Sequence, residues 1–175
     1  MSRSRLLVGG LALALVAALV AVVLLWLDRD DADERAESTA GLVDASVAAE
    51  KVARDAVTRM TTYSFQTVDE DFTWVEDVGT EKFQENFAGA SKEAVALVKT
   101  LKATAVGTVI DSAATAADDD HVKVLLFVDQ EIRSQGEKGT KLDQPRVTMQ
   151  MVRQDGQWLV DEVRVNNLVS APGAG

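Results

Sequence analysis

An uncharged stretch of 22 residues, Leu6 to Leu27, constrains the fold of this chain more than any other feature. As a helix it would measure about 33 Å, against roughly 30 Å for the hydrocarbon core of a bilayer. Arg3 and Arg5 precede the stretch, and an acidic run follows it. Because basic residues stay on the cytoplasmic side, the pattern predicts a single-span plasma-membrane anchor, with residues 1–5 inside and the remainder extracytoplasmic.

A cleaved signal peptide is the main alternative to a permanent anchor. Its apolar part would run for about 7–15 residues and end in a small-x-small cleavage site. This stretch is longer, and it passes through Leu24–Leu27 directly into acidic residues. The chain has no cysteine, which excludes a lipoprotein anchor, disulfides and attached haem. We therefore expect an uncleaved transmembrane helix over residues 6–27.

The net negative charge of the rest of the chain argues against partners that carry phosphate. Beyond the anchor lie 16 of the 18 basic residues and all 28 acidic ones, a net charge of −12. Nucleic acid should be repelled, because its binding depends on neutralising phosphates. We interpret residues 28–41 as an acidic stalk, residues 42–168 as one extracytoplasmic domain and residues 169–175 as a flexible tail.

Helical periodicity dominates the first half of that domain. Apolar residues recur at helical spacing over residues 42–62 and predict a helix with one buried face. The acidic run Asp69–Asp71 is typical of a capped helix start, and this helix should end near Gly79. A further turn is expected to open at Thr80, and a separate helix to be capped by Ser91.

After Leu101 the apolar period changes from that of a helix to that of a strand. Asp155-Gly156 is a strong hairpin signal between the last two strands. Four strands are predicted, over residues 103–116 (bent at Gly107), 122–128, 147–151 and 158–165. Helices followed by strands predict an α+β fold, with the helices packed on one side of a four-stranded antiparallel sheet.

Several segments together resemble one family. They are the single span, the run Thr61-Thr62-Tyr63-Ser64 that ends the first helix, Thr80-Glu81-Lys82-Phe83, and the terminal hairpin with Asp155-Gly156-Gln157-Trp158. The chain resembles the Mce-associated membrane proteins of actinobacteria, although Glu70–Trp74 departs from the usual alanine-rich turn. The resemblance implies a cone-like outer domain of nuclear transport factor or cystatin type, in which helices pack on a strongly curved four-stranded antiparallel sheet. It also implies a non-enzymatic accessory subunit that stabilises an Mce-type complex importing fatty acids or sterols.

The same cone occurs in other single-span proteins, including periplasmic subunits of type IV secretion machines, so the fold alone does not fix the function. We therefore keep two alternatives beside the Mce-associated role. One is a scaffold subunit of another envelope complex, and the other is a periplasmic lipid-binding module. The expected partners are accordingly Mce-type transporter proteins or other envelope proteins, with lipid as a further candidate.

Few residues offer catalytic or metal-binding chemistry. The only histidine, His121, follows Asp118–Asp120, but consecutive residues on a turn seldom all face one ion. Tyr63 with Asp69 resembles an acid–base pair used on this cone, yet Tyr63 is predicted on the apolar face of the first helix. We expect a solvated turn and core packing in these places. No catalytic residue, cofactor or metal site is predicted.

Large adaptable apolar side chains raise one sharper hypothesis. Methionine and aromatic side chains suit lipid tails, and they could line the mouth of a curved sheet. The candidates are Met60, Trp74, Phe83, Phe87, Phe127, Met149, Met151 and Trp158. A domain of this size also needs such residues to fill its core, and core filling is the interpretation we favour.

Overall fold

The computed structural model describes residues 38–167, and a compact unit begins at Leu42. The predicted anchor over residues 6–27, most of the predicted stalk and the predicted tail lie outside the described residues. Within residues 38–167, no helix is both long and apolar enough to cross a membrane.

Four helices precede the main strands. They are α1, described over residues 38–61, α2 (Val68–Asp71), α3 (Trp74–Val78) and α4 (Glu81–Leu101). Alanines at spacings of three or four line the buried face of α1, all with at most 5% exposure: Ala45, Ala49, Ala53 and Ala56. Their small side chains let the helix backbone lie close to the sheet. The predicted first helix is confirmed, and it ends one residue before the expected boundary.

Helix α4 begins where the sequence predicts a helical turn, but it is longer than predicted. Thr80 caps α4, because its Oγ1 accepts the Phe83 N–H at 3.2 Å. The helix then continues through Ser91, so the separate helix predicted there is wrong; the Ser91 hydroxyl donates within the helix to the Ala88 carbonyl. No proline interrupts α4, and a glycine in its middle is tolerated at modest cost.

The prediction that an acidic side chain caps the start of α2 is also wrong. Thr67 occupies the N-cap position of α2 without a side-chain cap bond. Asp71 instead accepts the Ser64 N–H at 2.8 Å and the Thr67 hydroxyl at 2.9 Å. Its carboxylate therefore holds the segment before α2, and the acidic residues favour the helix only through its dipole.

The strands of the described chain form one antiparallel sheet of six strands. The strands are β1 (Tyr63–Ser64), β2 (Thr104–Ala116), β3 (His121–Arg133), β4 (Lys141–Asp143), β5 (Pro145–Gln154) and β6 (Gln157–Asn167). Their order is β1-β2-β3-β5-β6, and β4 pairs with β3 beside β5. The sheet is curled and its helices cover one face, so the predicted α+β class is confirmed.

The four long strands and the last hairpin agree with the sequence pattern. Asp155 and Gly156 both have positive φ, of 50° and 78°, as the predicted two-residue turn requires. The two short strands, β1 and β4, were not predicted. Strands of two and three residues are too short to show an alternating pattern.

The core lies between the helices and the inner face of the sheet. Inner-facing residues alternate along β3 and β5, and the largest fully buried ones are Leu126, Met149 and Met151. A smaller apolar cluster surrounds Val68, Val98 and Ala103 near the end of α4.

A bulge between Val109 and Asp111 interrupts the pairing of β2 with β3. The sequence prediction placed the irregularity at Gly107, but this glycine has a different role. A Cβ atom there would lie 1.8 Å from Thr61 Oγ1, so Gly107 allows the end of α1 to approach β2.

Candidate interaction surface

The eight predicted cavity residues do not line one cavity. Five of them lie in the core: Trp74, Phe83, Met149, Met151 and Trp158. Met60 and Phe87 are partly buried and pack against that core. Phe127 lies on the other, outer face of the sheet and is 38% exposed. The structure thus separates Phe127 from the other seven.

Aromatic packing explains where several of these side chains lie. The Trp74 ring centroid is 5.5 Å from that of Phe87 and 6.0 Å from that of Phe83. Phe87 in turn meets Phe72 edge-on at 6.0 Å. These contacts join α3 to one face of α4, as the spacing of Phe83 and Phe87 indicated. The Trp74 Nε1 atom is buried without a hydrogen-bond partner.

Phe127 instead belongs to a groove on the outer face of the sheet. The groove has a volume of about 350 Å³ and crosses three strands. Its lining residues are Ile110, Asp111, Phe127, Val128, Asp129, Gln144 and Pro145. We call it the outer groove.

Two irregularities of the backbone build the outer groove. The bulge in β2 leaves Ile110 unpaired with β3 and turns it outward, where it is 58% exposed. On the other side of β3, the chain passes from β4 to β5 at Gln144. Bulges often redirect a side chain in this way. The adjacent apolar pair Val109-Ile110, which breaks the alternation of β2, was the available sequence signal for this site.

Polar groups surround the apolar floor of the outer groove. The Arg146 guanidinium lies 5.6 Å from the Phe127 ring centroid, and its buried Nε atom has no hydrogen-bond partner. Gln144 Nε2 donates to the Asp129 carboxylate at 2.8 Å. An apolar centre with a charged rim is the usual anatomy of a protein contact site. Of the residues that line this groove, only Phe127 was predicted from the sequence as part of a site.

Tyr63 and Asp69, the predicted acid–base resemblance, have different neighbours. Tyr63 was predicted on the first helix, and this is wrong. The helix α1 ends two residues earlier, and Tyr63 lies in β1. It meets Phe72 edge-on at 5.8 Å, and burial, followed by the Asp143 carboxylate, raises the pKa of its hydroxyl. Asp69 accepts from Lys99 Nζ at 2.6 Å.

The aspartate run and His121 form an exposed turn. His121 Nδ1 lies 2.9 Å from the Asp118 carboxylate, and both side chains are mostly exposed. The backbone N–H of Asp120, followed by the His121 ring, lowers the pKa of Asp118. Asp120 pairs with Arg153 Nε at 2.8 Å. In the part of the chain that the structure describes, no group of three or more potential metal ligands comes together.

A family model described as uncharacterized protein Rv1363c/MT1408-like matches residues 6–166. The chain belongs to this family. The match spans the predicted anchor and the domain alike, and no curated protein matches the chain.

Solved structures with a similar fold include two proteins of bacterial type IV secretion systems. The periplasmic domain of DotI is 16% identical with a TM-score of 0.58, over 67% of this chain and 91% of that one. An IcmL-like type IV secretion system protein from Legionella pneumophila is 10% identical with a TM-score of 0.55, over 72% and 94%. CagV, a VirB8 homolog from Helicobacter pylori, is 11% identical with a TM-score of 0.57, over 70% and 98%. At these identities the similarity establishes the fold.

Proposed function

We propose that this protein is a non-enzymatic, membrane-anchored scaffold subunit of a protein complex in the cell envelope. The observation that carries the proposal is the outer groove, an exposed apolar site on the face of the sheet that the helices leave uncovered. Ile110 and Phe127 form its apolar centre, and Asp111 and Asp129 lie at its rim. Exposed apolar patches with a polar rim mark contact sites in soluble domains.

The proposed location rests on the sequence. The uncharged stretch 6–27, preceded by arginines and followed by acid, fits a single span with its N-terminus in the cytoplasm. The fold adds support, because the DotI neighbour is a periplasmic domain. The domain after the stalk would therefore meet its partners outside the plasma membrane.

Two kinds of complex are candidates for the partner. The structural neighbours from type IV secretion favour a general scaffold role. The sequence resemblance to Mce-associated proteins supports the narrower proposal of an Mce-type lipid-import complex. In either case the domain would bind its partner through protein–protein contacts. Such binding requires neither a cofactor nor a catalytic residue in this chain.

A lipid-binding role has less support. The methionine and aromatic side chains that suggested it mostly fill the core, where Met149 and Met151 are at most 1% exposed. Mass spectrometry of organic extracts from the purified protein tests this alternative. A stoichiometric lipid would favour it over the scaffold role.

The scaffold proposal is tested by photo-crosslinking full-length protein in its native membranes. A photoreactive amino acid replaces Phe127 in the outer groove, and a second variant carries it at Leu97 on α4, which is 58% exposed. We expect envelope proteins to be captured from position 127 and not from position 97. Their identities distinguish Mce-type transporter proteins from secretion-type components. Equal capture from both positions, or none, would contradict the proposal.

The same experiment repeated with Ile110→Ser tests the apolar centre. Ile110 is exposed, so its replacement should change the free energy of unfolding by less than about 0.5 kcal/mol. Capture from position 127 should fall severalfold. Leu97→Ser is the matched control, because Leu97 is exposed to the same 58%.

A further inference from the structure

Strand β2 has a long edge without a partner strand. On one side it pairs with β3 from Thr104 to Ala116, with Ile110 left unpaired at the bulge. On the other side, β1 pairs only with Thr104 and Ala105. Within residues 38–167, no strand pairs with the remaining edge over residues 106–116.

This edge has few of the devices that usually prevent strand pairing. Natural edges are protected by lysine, proline or several charges. Residues 106–116 contain no lysine or proline, and Asp111 is their one charged residue. The Asp111 carboxylate accepts the N–H of Ser112, so that N–H is held by a side chain and not by a strand. The bulge and the Asp111 carboxylate are the protective features of residues 110–116, and nearer α1 the Gly107 N–H is taken up by Thr62 Oγ1 at 3.1 Å.

The opposite edge of the sheet provides a contrast. Strand β6 carries Asp161, Glu162 and Arg164. The backbone also covers part of this edge, because the Thr80 N–H donates to the Val160 carbonyl at 2.9 Å. The two edges of the sheet therefore differ, and among the described residues it is the β2 edge, over 106–116, that has no partner strand.

We propose that the β2 strands of two copies of this chain pair antiparallel, about a two-fold axis at Ala113. Identical strands can pair in this way without another partner, and the contact is then the same surface on both copies. The residues around the axis are small, since Ser112, Ala113 and Ala114 follow one another. Residues 110–116 of each copy would form the contact.

Charge selects this register. A contact centred on residues 106–116 would place Asp111 against Asp111 of the second copy, and like charges directly opposite are destabilising. A shift of the axis to Ala113 places Asp111 opposite Thr115. The Ser112 N–H, which the Asp111 carboxylate accepts in the single chain, would then be released to the second strand, and the Thr115 hydroxyl can donate to the carboxylate in its place. Antiparallel pairing keeps both side chains on the outer face.

A lysine adds complementary charge in that register. Lys123 is the β3 residue paired with Thr115, and it is exposed on the same outer face. It has no ion-pair partner among the described residues. Strands lie about 4.8 Å apart, so the Lys123 side chain can extend over Thr115 toward Asp111 of the second copy. Two such pairs would form, one on each side of the axis.

Cysteine crosslinking tests the contact in the full-length chain. The protein has no cysteine, so Ala113→Cys introduces a single thiol. Opposed residues in antiparallel strands lie about 4.5–5.5 Å apart, within the range that a disulfide bridges. Mild oxidation in membranes should convert A113C to a covalent dimer. Arg164→Cys, an exposed position on β6, is the control and should stay mostly monomeric; equal crosslinking of both would overturn the proposal.

A charge reversal tests the register independently of the thiols. Lys123→Glu places a carboxylate near Asp111 of the second copy, and the dimer dissociation constant should rise severalfold by native mass spectrometry. Lys141→Glu, exposed on β4, makes the same change in net charge away from the axis and should have a much smaller effect. A monomeric wild type, or equal effects of both variants, would contradict the proposal.

Discussion

At the scale of single residues, position 107 requires glycine because there is no room for a side chain, and not because of its backbone conformation. A Cβ atom would lie 1.8 Å from Thr61 Oγ1 and 2.6 Å from Thr61 Cβ, so the end of α1 would have to move. The hydrogen bond from the Gly107 N–H to Thr62 Oγ1, at 3.1 Å, would be strained by the same shift. Overpacking of this kind costs about 1–3 kcal/mol.

Gly107→Ala should therefore lower the free energy of unfolding by about 1–3 kcal/mol, measured by urea denaturation of the full-length protein in non-ionic detergent. Gly89→Ala is the matched control. Gly89 lies in α4 with open space around it, and alanine there should stabilise the helix by about 0.5–1 kcal/mol. If both substitutions changed stability in the same direction, the close approach of α1 would not be the reason for Gly107.

At the scale of elements, a carboxylate on β6 connects this strand to the start of α4. Asp161 accepts from Lys82 Nζ at 2.7 Å and from the Thr80 hydroxyl at 3.1 Å. The hydrogen bond from Lys82, and after it that from Thr80, lower the pKa of Asp161 below its ordinary value of 3.8. A carboxyl whose pKa is lower in the folded state stabilises the fold when it is ionised.

This contribution is present above the unfolded-state pKa and is lost as the pH falls through the folded-state pKa. Asp161→Asn should therefore be less stable than the wild type near neutral pH, and the difference in the free energy of unfolding should shrink as the pH falls below the ordinary carboxyl value of 3.8. Urea denaturation at pH 3 to 7 measures the difference. Asp119→Asn, at an exposed turn, is the control of equal charge change and should follow the wild type throughout. A constant gap between D161N and the wild type would contradict the ion pair as the cause.

The sequence predicts the elements better than it predicts their junctions. Helix α1 and the four long strands follow from apolar periodicity, and the last hairpin follows from Asp155-Gly156. The continuity of α4 through Ser91 was missed, because serine favours caps only when tertiary packing does not hold it inside a helix. The contacts of Asp161 with Lys82 and Thr80 join residues about 80 positions apart, and no local sequence pattern predicts such pairs.

At the scale of the molecule, the candidate site was the part least accessible from sequence. Phe127 was grouped with Trp74 and Met149 because all three suit a lipid cavity, yet strand alternation places Phe127 on the opposite face of the sheet. The outer groove also depends on the bulge at Ile110. The bulge adds one residue to β2 that has no partner in β3, so the residues after it pair one position out of register. Periodicity places a residue on a face only while the register is regular.

The charge of the whole chain leads to a last prediction. The formal net charge is −10, and self-repulsion of this size opposes the compact state. The exposed ion pairs, such as Lys99 with Asp69 and Arg59 with Asp55, each contribute no more than about 1 kcal/mol, so screening them loses little. Raising sodium chloride from about 0.02 to 0.2 M shortens the Debye length from roughly 20 to 7 Å and should raise the melting temperature by a few degrees. The paired β2 edges should associate more tightly over the same range, because two acidic copies must approach each other. A melting temperature that falls with salt would show that the ion pairs outweigh the repulsion among the acidic residues.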